Sequence, residues 1–288
     1  MKVKLLISVV IPVYNGEKTL KQCLDSVLNQ TCKNYEVIVV DNNSTDRTKN
    51  IIKEFQKKDK RIKYVFEKTK IRGAARNTGV RNSKGKIIAC TDCDCIVSRN
   101  WLQKLTKPIL HGKEVAVQGY EKPAYINFWT KQYQIKSERC LKNVENKGYI
   151  LNLDTKNFAI LKKVLIDIGN FNRIVHVCED MDVLFRFLGR GLKIKFVNIQ
   201  VKHFHKATLF SLIKTEFNKG FWAAKLRKIY PEINHPLFEA NSLLNSFRFI
   251  SDFLYLFLKR EYPFSQLFFE YITGISWRAG IIWSMMKE

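Results

Sequence analysis

The chain has 288 residues and a formal net charge of +24, from 50 Lys and Arg against 26 Asp and Glu. With 46% hydrophobic and 12% aromatic residues it can bury a real core, which excludes wholesale disorder, and its length suits one large domain with an appendage or two modest domains. A cationic surplus of this size calls for a polyanionic neighbour: nucleic acid, an anionic membrane leaflet or phosphorylated small molecules.

Met1-Lys2-Val3-Lys4 leads into an apolar run that meets Pro12 and Asn15-Gly16 in place of a cleavage site. It does not read as a secretory leader, and the N-terminal part is expected in the cytoplasm. The seven cysteines, 23, 32, 90, 93, 95, 140 and 178, are odd in number and fall in predicted strands and helices, which suits reduced thiols better than a disulfide framework. A thiolate metal cluster at Cys90, Cys93 and Cys95 lacks a second Cys or His pair at zinc spacing.

Ile7 to Val13 is a near-continuous apolar run, the pattern of a strand buried on both faces, with Pro12 at its margin. After Asn15, Leu20, Cys23, Leu24, Val27 and Leu28 recur at helical spacing. A second strand from Glu36 ends at Asp41, Asn42-Asn43-Ser44 makes a turn, and Thr48, Ile51, Ile52 and Phe55 line a second helix. Arg61 to Phe66 is a third strand. Strands alternating with helices predict an open α/β sheet whose ligands lie beyond the strands' C-terminal ends. No G-x-G-x-x-G follows the first strand and no Walker loop occurs, so neither a dinucleotide cofactor nor P-loop chemistry is supported.

Lys70 to Gly79 contains a glycine and small residues that start a close-packing helix and direct Arg72 or Arg76 at phosphate. Lys86 to Cys95 then carries an apolar run into Asp92 and Asp94. Alternate residues at a strand's end point the same way, so this pair is expected to converge on one hard cation such as Mg²⁺ or Mn²⁺; two solvated turn aspartates are the alternative. Trp101 to Leu105 reads as a short helix and Glu114 to Tyr120 as a strand. Pro123 to Gly148 is aromatic and basic without clear period.

Past Asn157 to Ile160, a helix begins after Cys178. Met181, Leu184, Phe185 and Leu188 form its apolar stripe, while Glu179, Asp182 and Arg186 share the opposite face. Asp180 belongs to neither group; beside the stripe at the helix start, partly desolvated yet within reach of backbone N–H groups, it has the setting of a general base. Gly191 closes that helix, Leu192 to Val201 reads as a last strand, and His203 and His205 follow on one side of its end, candidates for a metal site or diphosphate contact, or structural groups.

From Leu209 onward, Phe210, Ile213, Phe217 and Phe221 recur among lysines, and apolar regions run from Leu243 to Leu258 and from Phe264 to Met286. None offers eighteen uninterrupted apolar residues, so spanning helices are not expected. The mixture of Phe, Trp, Tyr, Lys and Arg better suits helices lying in a bilayer interface; a pair of short membrane-dipping helices, an oligomer contact and helices folded back on the sheet are the alternatives.

Five segments in order resemble glycosyltransferase family 2: Ser8-Val9-Val10-Ile11-Pro12-Val13-Tyr14-Asn15, Val39 to Asp46, Gly73 to Gly79, Thr91-Asp92-Cys93-Asp94-Cys95, and Glu179-Asp180 with Asp182 and Arg186, followed by His203. The resemblance runs from about Ile7 to Gly220. It implies the GT-A fold, a Rossmann-like mixed α/β sheet flanked by helices over residues 1–206, with a C-terminal amphipathic helical region over 207–288. It further implies inverting transfer from a nucleotide-diphosphate sugar, UDP-linked by preference, to a lipid-linked or glycan acceptor.

Carried over by position, Pro12, Tyr14, Asp41, Arg72, Asn77 and Asp92 would bind the nucleotide sugar. Asp94, Asp92 and His203 would hold Mn²⁺ or Mg²⁺, and Asp180, or Glu179 beside it, would be the catalytic base. Asn42 departs from the second Asp many members carry. The expected setting is cytoplasmic and peripheral on the inner face of the cell membrane, against an anionic surface, with no nucleic-acid partner and a possible homo-oligomer. The competing readings are a basic nucleic-acid-binding protein, supported by charge alone, and a nucleotidyltransferase, which would need a third carboxylate near the aspartate pair.

Overall fold

A computed structural model describes residues 6–205, 208–233 and 263–287, without the side chains of 143–146. The chain forms two compact units, one of residues 1–124 and 141–204 and the other of residues 125–140 and 205–288.

The first unit is built on a mixed sheet. Strands β1 (Ile7–Val13), β2 (Tyr35–Asp41), β3 (Ile62–Phe66) and β4 (Ile87–Cys90) run parallel in the order β3-β2-β1-β4. They alternate with helices α1 (Leu20–Leu28), α2 (Thr48–Lys58) and α3 (Arg72–Asn82). β1 and β4 are buried along nearly their whole length, as their unbroken apolar runs require in a sheet covered on both faces.

Beyond β4 the sheet continues through β9 (Phe158–Leu161), β6 (Ala116–Pro123) and β10 (Ile194–His203). β9 is antiparallel to both neighbours, whereas β6 and β10 are parallel to each other. The short β5 (Cys95–Val97) pairs antiparallel with the end of β10, and β7 (Glu145–Asn146) and β8 (Tyr149–Ile150) close the edge. Helix α4 (Trp101–Leu110) runs past the five residues expected of it: Thr106 and Ile109 bury beside Leu102 and Leu105, which outweighs the hydrogen bond Pro108 removes. Residues 123–148, where no period was legible, contain helix α5 (Phe128–Val144). Most of α5 belongs to the second unit, and the first is completed by α6 (Lys162–Asp167) and α7 (Glu179–Leu188).

One buried amide fixes the register of the inner strands. The pairing of β6 with β10 shifts between Phe196 and Gln200, opposite Gly119. Into that irregularity Asn157 donates from Nδ2 to the carbonyls of Tyr120 at 2.9 Å and Ile199 at 2.8 Å, and its Oδ1 accepts the Trp101 indole N–H at 2.9 Å. Glycine is required at 119, because a Cβ there would lie 2.2 Å from the Ile199 carbonyl oxygen and 2.3 Å from Asn157 Nδ2. The bulge sets which residues of β10 reach the strand's end, His203 among them.

In the second unit, α8 (Leu209–Ile229) packs against α9 (Phe264–Met286). Their backbones come so close that a Cβ at Gly220 would lie 1.8 Å from the Trp277 carbonyl oxygen. Buried Glu216 is held by Lys219 at 2.7 Å and Lys136 at 3.4 Å; burial pushes its carboxyl up, but the two ammoniums win and bring it to about 2. The expected helix over Leu243 to Leu258 lies outside the described residues. Among the described residues, no helix is long and apolar enough to cross a membrane.

Asn157→Ala should lower the unfolding free energy by about 3 kcal/mol or more, because it leaves a buried indole N–H and strand carbonyls without their partner. Denaturant unfolding against wild type, at unchanged m-value, measures it.

Candidate active site

The parallel strands β1, β2 and β4 end at one edge, where Val13 pairs with Asp41 and the chain leaves β4 for Asp92. The two exit loops there are stitched together. Asn15 N–H donates to Ser44 Oγ at 3.0 Å, Gly16 N–H to Thr48 Oγ1 at 2.8 Å, Glu17 N–H to Asp46 Oδ2 at 3.0 Å and Thr45 N–H to Asn15 Oδ1 at 2.9 Å. The run Asn42 to Asp46 is thus an acceptor-rich turn that orders the loop after β1.

Within that frame Pro12 is half-buried in β1, and Tyr14 follows it, 49% exposed, with Lys70 Nζ 5.1 Å from its ring centroid. Asp41 is buried: Oδ1 accepts the Ser44 N–H at 2.9 Å and Oδ2 the Tyr64 hydroxyl at 3.1 Å. Its neighbour Asn42 is also buried, with no hydrogen-bond partner at Oδ1.

Asp92 and Asp94 do not share a strand end. β4 stops at Cys90, and the pair lies in the tight turn into β5, closed by the Cys95 N–H to the Asp92 carbonyl at 3.1 Å. The alternation expected of a strand is therefore lost, and the carboxylates take different partners. Asp92 Oδ1 accepts from Arg76 at 3.0 Å, whereas Asp94 Oδ2 lies 3.4 Å from His203 Nε2.

Arg76 is the side chain that joins distant parts of the sequence. From the middle of α3, only 2% exposed, it donates to Asp92 with one nitrogen and to Glu179, at the start of α7, with another, and its guanidinium lies over the Phe171 ring. Burial lowers its proton affinity, yet Asp92 and Glu179 more than restore it. Arg72, one turn earlier, is exposed. Asn77 is largely taken up by structure: Nδ2 donates to the Phe171 carbonyl at 2.7 Å and Oδ1 accepts the Phe171 N–H at 2.9 Å, which clamps α3 to the chain before α7.

The polar face of α7 faces protein. Glu179 is paired with Arg76, and fully buried Asp182 with Arg186 at 2.5 Å, so Glu179 serves as a counter-ion. Asp180 stands apart: half-buried, its Oδ1 accepts the Met181 N–H at 2.9 Å. Burial pushes its carboxyl up to about 7, with the negative charges of Glu179 and Asp154 adding to the effect and Arg76 and Lys156 opposing it.

On the other side, His203 ends β10 opposite Cys95. Its Nδ1 lies 2.9 Å from Glu121 Oε2; burial disfavours the imidazolium, but Asp94 and Glu121 outweigh that and push its pKa up to about 9. Lys156 Nζ lies 3.3 Å from Glu121 and 3.1 Å from Asp154. A chain of alternating charges thus runs from Asp94 through His203, Glu121 and Lys156 to Asp154. Sequence reading passed over Glu121, Asp154 and Lys156, although Glu121, like Asp41, is an acid that follows the buried run of its strand. His205 belongs to the second unit, its ring 4.8 Å from Tyr133.

Asp94, His203 and Cys95 have ligand atoms within 4.8 Å of one another, while Asp92 is not among them; the carboxylate and imidazole suit a borderline divalent cation, and burial keeps the Cys95 thiol protonated. All seven cysteines are free, and among the described residues no three of them converge. Burial pushes the Cys23, Cys90, Cys93 and Cys95 thiols up, as fits packing groups.

A mixed sheet of this order is that of the GT-A fold, and comparison with known proteins agrees. The model of "Glycosyl transferase family 2" matches residues 8–171. An uncharacterized glycosyltransferase of Haemophilus influenzae is 38% identical over 75% of this chain and 85% of its own length. Glycosyltransferase GlyA of Streptococcus pneumoniae is 40% identical over 40% of this chain, and the match covers only 16% of that longer relative.

In fold, the chain is similar to the mannosyltransferase PcManGT of Pyrobaculum calidifontis, solved with GDP-Man and Mn²⁺. The TM-score is 0.71 at 15% identity, over 98% of this chain and 87% of that one. S. aureus TarS 1-349 in complex with UDP-GlcNAc gives 0.54 at 18% identity, over 77% and 66%. This chain belongs to glycosyltransferase family 2.

Replacing Arg76 by Met should cost about 3–5 kcal/mol, because it strands the buried Glu179 carboxylate and frees the Asp92 turn from α7. Chemical denaturation at pH 7 measures the loss.

Proposed function

We propose that the protein is an inverting, metal-dependent glycosyltransferase in which Asp180 is the catalytic base. The reading rests on one observation: Arg76 ties the turn bearing Asp92 to the helix start bearing Asp180. In this reading Tyr14 and Pro12 flank the nucleotide base, and the donor is UDP-linked. Asp41, at the end of β2, is the acceptor for a base N–H. Arg72, exposed at the first turn of α3, faces the diphosphate.

Asp94, Asp92 and His203 would hold Mn²⁺ or Mg²⁺, which supplies neutralisation of the charge that grows on the leaving diphosphate. Asp180 takes the proton of the acceptor hydroxyl as that oxygen bonds to the anomeric carbon. The bond from that carbon to the diphosphate breaks with its electron pair going to the phosphate oxygen. A single base and in-line displacement invert the anomeric centre.

The acceptor is read as lipid-linked or a glycan, and the second unit as lying on an anionic membrane at the inner face of the cell membrane, with a homo-oligomer also compatible. Phe210, Phe264, Trp283 and Met286 are exposed there, and Lys225 and Lys287 lie 5.1 Å and 5.3 Å from the rings of Trp222 and Trp283, the mixture an interfacial helix presents. Co-sedimentation should retain the protein on vesicles containing phosphatidylserine several-fold better than on phosphatidylcholine alone, the difference fading in high salt. Equal binding to both would remove the charge-based part of this reading.

A thermal-shift screen of UDP- and GDP-sugars with and without Mn²⁺ identifies the donor, since bound donor stabilises the fold by mass action. Asp94→Asn should abolish the Mn²⁺-dependent part of that shift. Asp180→Asn should retain it and lose at least about a hundredfold in turnover. The base must be ionised, so wild-type kcat should fall as pH drops through about 7. Undiminished turnover in Asp180→Asn would remove the assignment.

A further inference from the structure

Where α6 ends, the chain reverses. Gly169 and Asn170 both take left-handed backbone, at φ of +96° and +58°, and this closes the helix: the Gly169 N–H donates to the Ile166 carbonyl and the Asn170 N–H to the Leu165 carbonyl, each at 2.9 Å. Arg186 of α7, paired with Asp182, also donates to the carbonyls of Ile168 and Asn170, the second at 2.6 Å. From α3, Asn77 clamps the backbone of Phe171. Residues 168–172 are therefore fixed by two helices at once.

Beside that segment lies a cavity of about 470 Å³, lined in part by Asn77, Arg81, Asn170, Phe171, Arg173 and Arg186 and by none of Asp92, Asp94, Glu179, Asp180 or His203. Small-ligand pockets run from about 300 to 1,000 Å³. Its three guanidiniums differ in what they hold. Arg186 is committed to the wall. Arg81, with 60% of its side chain exposed, donates to Thr78 Oγ1 and lies 4.0 Å from Glu67. Exposed Arg173 makes no hydrogen bond or ion pair among the described residues. The acids beside them have partners already: Glu67 accepts from the Thr78 hydroxyl at 2.6 Å and the Thr69 N–H at 2.9 Å, and Asp182 is paired with Arg186. Asn170 adds a different demand. Its Oδ1 is buried with no hydrogen-bond partner, a loss that a ligand hydroxyl would repair.

We propose that this cavity, bordered by α3, the end of α6 and α7, binds an anionic saccharide unit, a sugar ring bearing a phosphate or a carboxylate. Arg173 and Arg81 pair with the anion, for which a planar guanidinium offers two parallel donors. Asn170 Oδ1 accepts from a ring hydroxyl. An anion without a ring leaves that acceptor unpaired, and a neutral sugar leaves the two arginines unpaired, so the site selects for both features on one molecule. It is separate from the donor, metal and base assignments and stands without them.

The experiment is isothermal titration calorimetry of the full chain in EDTA, which leaves the acidic strand exits without a divalent cation. The probes are glucose 1-phosphate, glucuronate, glucose and inorganic phosphate, and thermal unfolding is run on every variant. Glucose 1-phosphate or glucuronate should bind at one site per chain, at least about tenfold more tightly than glucose, and the stronger of the two identifies the anion. Arg173→Gln and Arg81→Gln should each weaken that binding about tenfold. Asn170→Gly, which keeps the left-handed backbone and removes the amide, should weaken it about fivefold and leave inorganic phosphate unchanged. Arg72→Gln, at the proposed diphosphate position, should leave all four affinities as in wild type.

The proposal is overturned if neither anionic sugar binds, if inorganic phosphate binds as tightly as the better of them, or if the affinity survives Arg173→Gln and Arg81→Gln intact. Loss of binding in Arg72→Gln would place the probe against the diphosphate position and overturn it as well. Should Asn170→Gly not fold, the two arginine variants, both at exposed positions, decide the outcome together with the comparison of probes.

Discussion

The buried guanidinium of Arg76 is the interaction on which the site depends. Its two partners are 87 residues apart in sequence, Asp92 after β4 and Glu179 at the start of α7, and no strand pairing joins those segments directly. A planar fork that keeps its charge when buried is suited to hold two carboxylates from different elements at once, which a single ammonium does with less directional control. With Phe171 beneath the guanidinium and Asn77 clamping that residue's backbone, α3 becomes the frame on which the acidic turn and the helix of Asp180 are set.

Charge is distributed unevenly in this protein. The chain carries +24 overall, yet the site gathers Asp92, Asp94, Glu121, Asp154, Glu179 and Asp180 around only Arg76, Lys156 and His203. An anionic ligand is drawn by the long-range field of the whole molecule and meets a local acid surplus when it arrives. In the proposed reading a divalent cation would reconcile the two, since it would offset the acids and give a diphosphate something to bind. Burial, with the charges of Glu179 and Asp154 adding to it, raises the Asp180 carboxyl to about 7.

Much of this was legible in residue order because it depends on local periodicity. The buried strands β1, β2 and β4, the amphipathic α1 and α2, and the acids that end strands all announce themselves by spacing of two or near 3.6. The reading of Asp92 and Asp94 as alternate residues of one strand did not survive, because chain direction changes after Cys90 and a turn obeys no such alternation. Residues 128–144 form a helix that spacing did not disclose, because its polar and apolar residues do not segregate cleanly along the sequence.

By itself, the amino-acid sequence determined that this is an α/β protein of glycosyltransferase family 2, with Asp41, Asp92, Asp94, Asp180 and His203 at the ends of its elements, because burial pattern and motif order are properties of neighbours along the chain. Only the tertiary structure decided that Arg76 and not Arg72 lies at the centre, that Asn77 serves the backbone of Phe171, that Glu179 is a counter-ion, and that Glu121, Lys156 and Asp154 join His203 in one chain of alternating charges. Those outcomes rest on which buried charges meet across the sheet. A buried charge finds its partner through space, and the distance along the chain says nothing of who that partner will be.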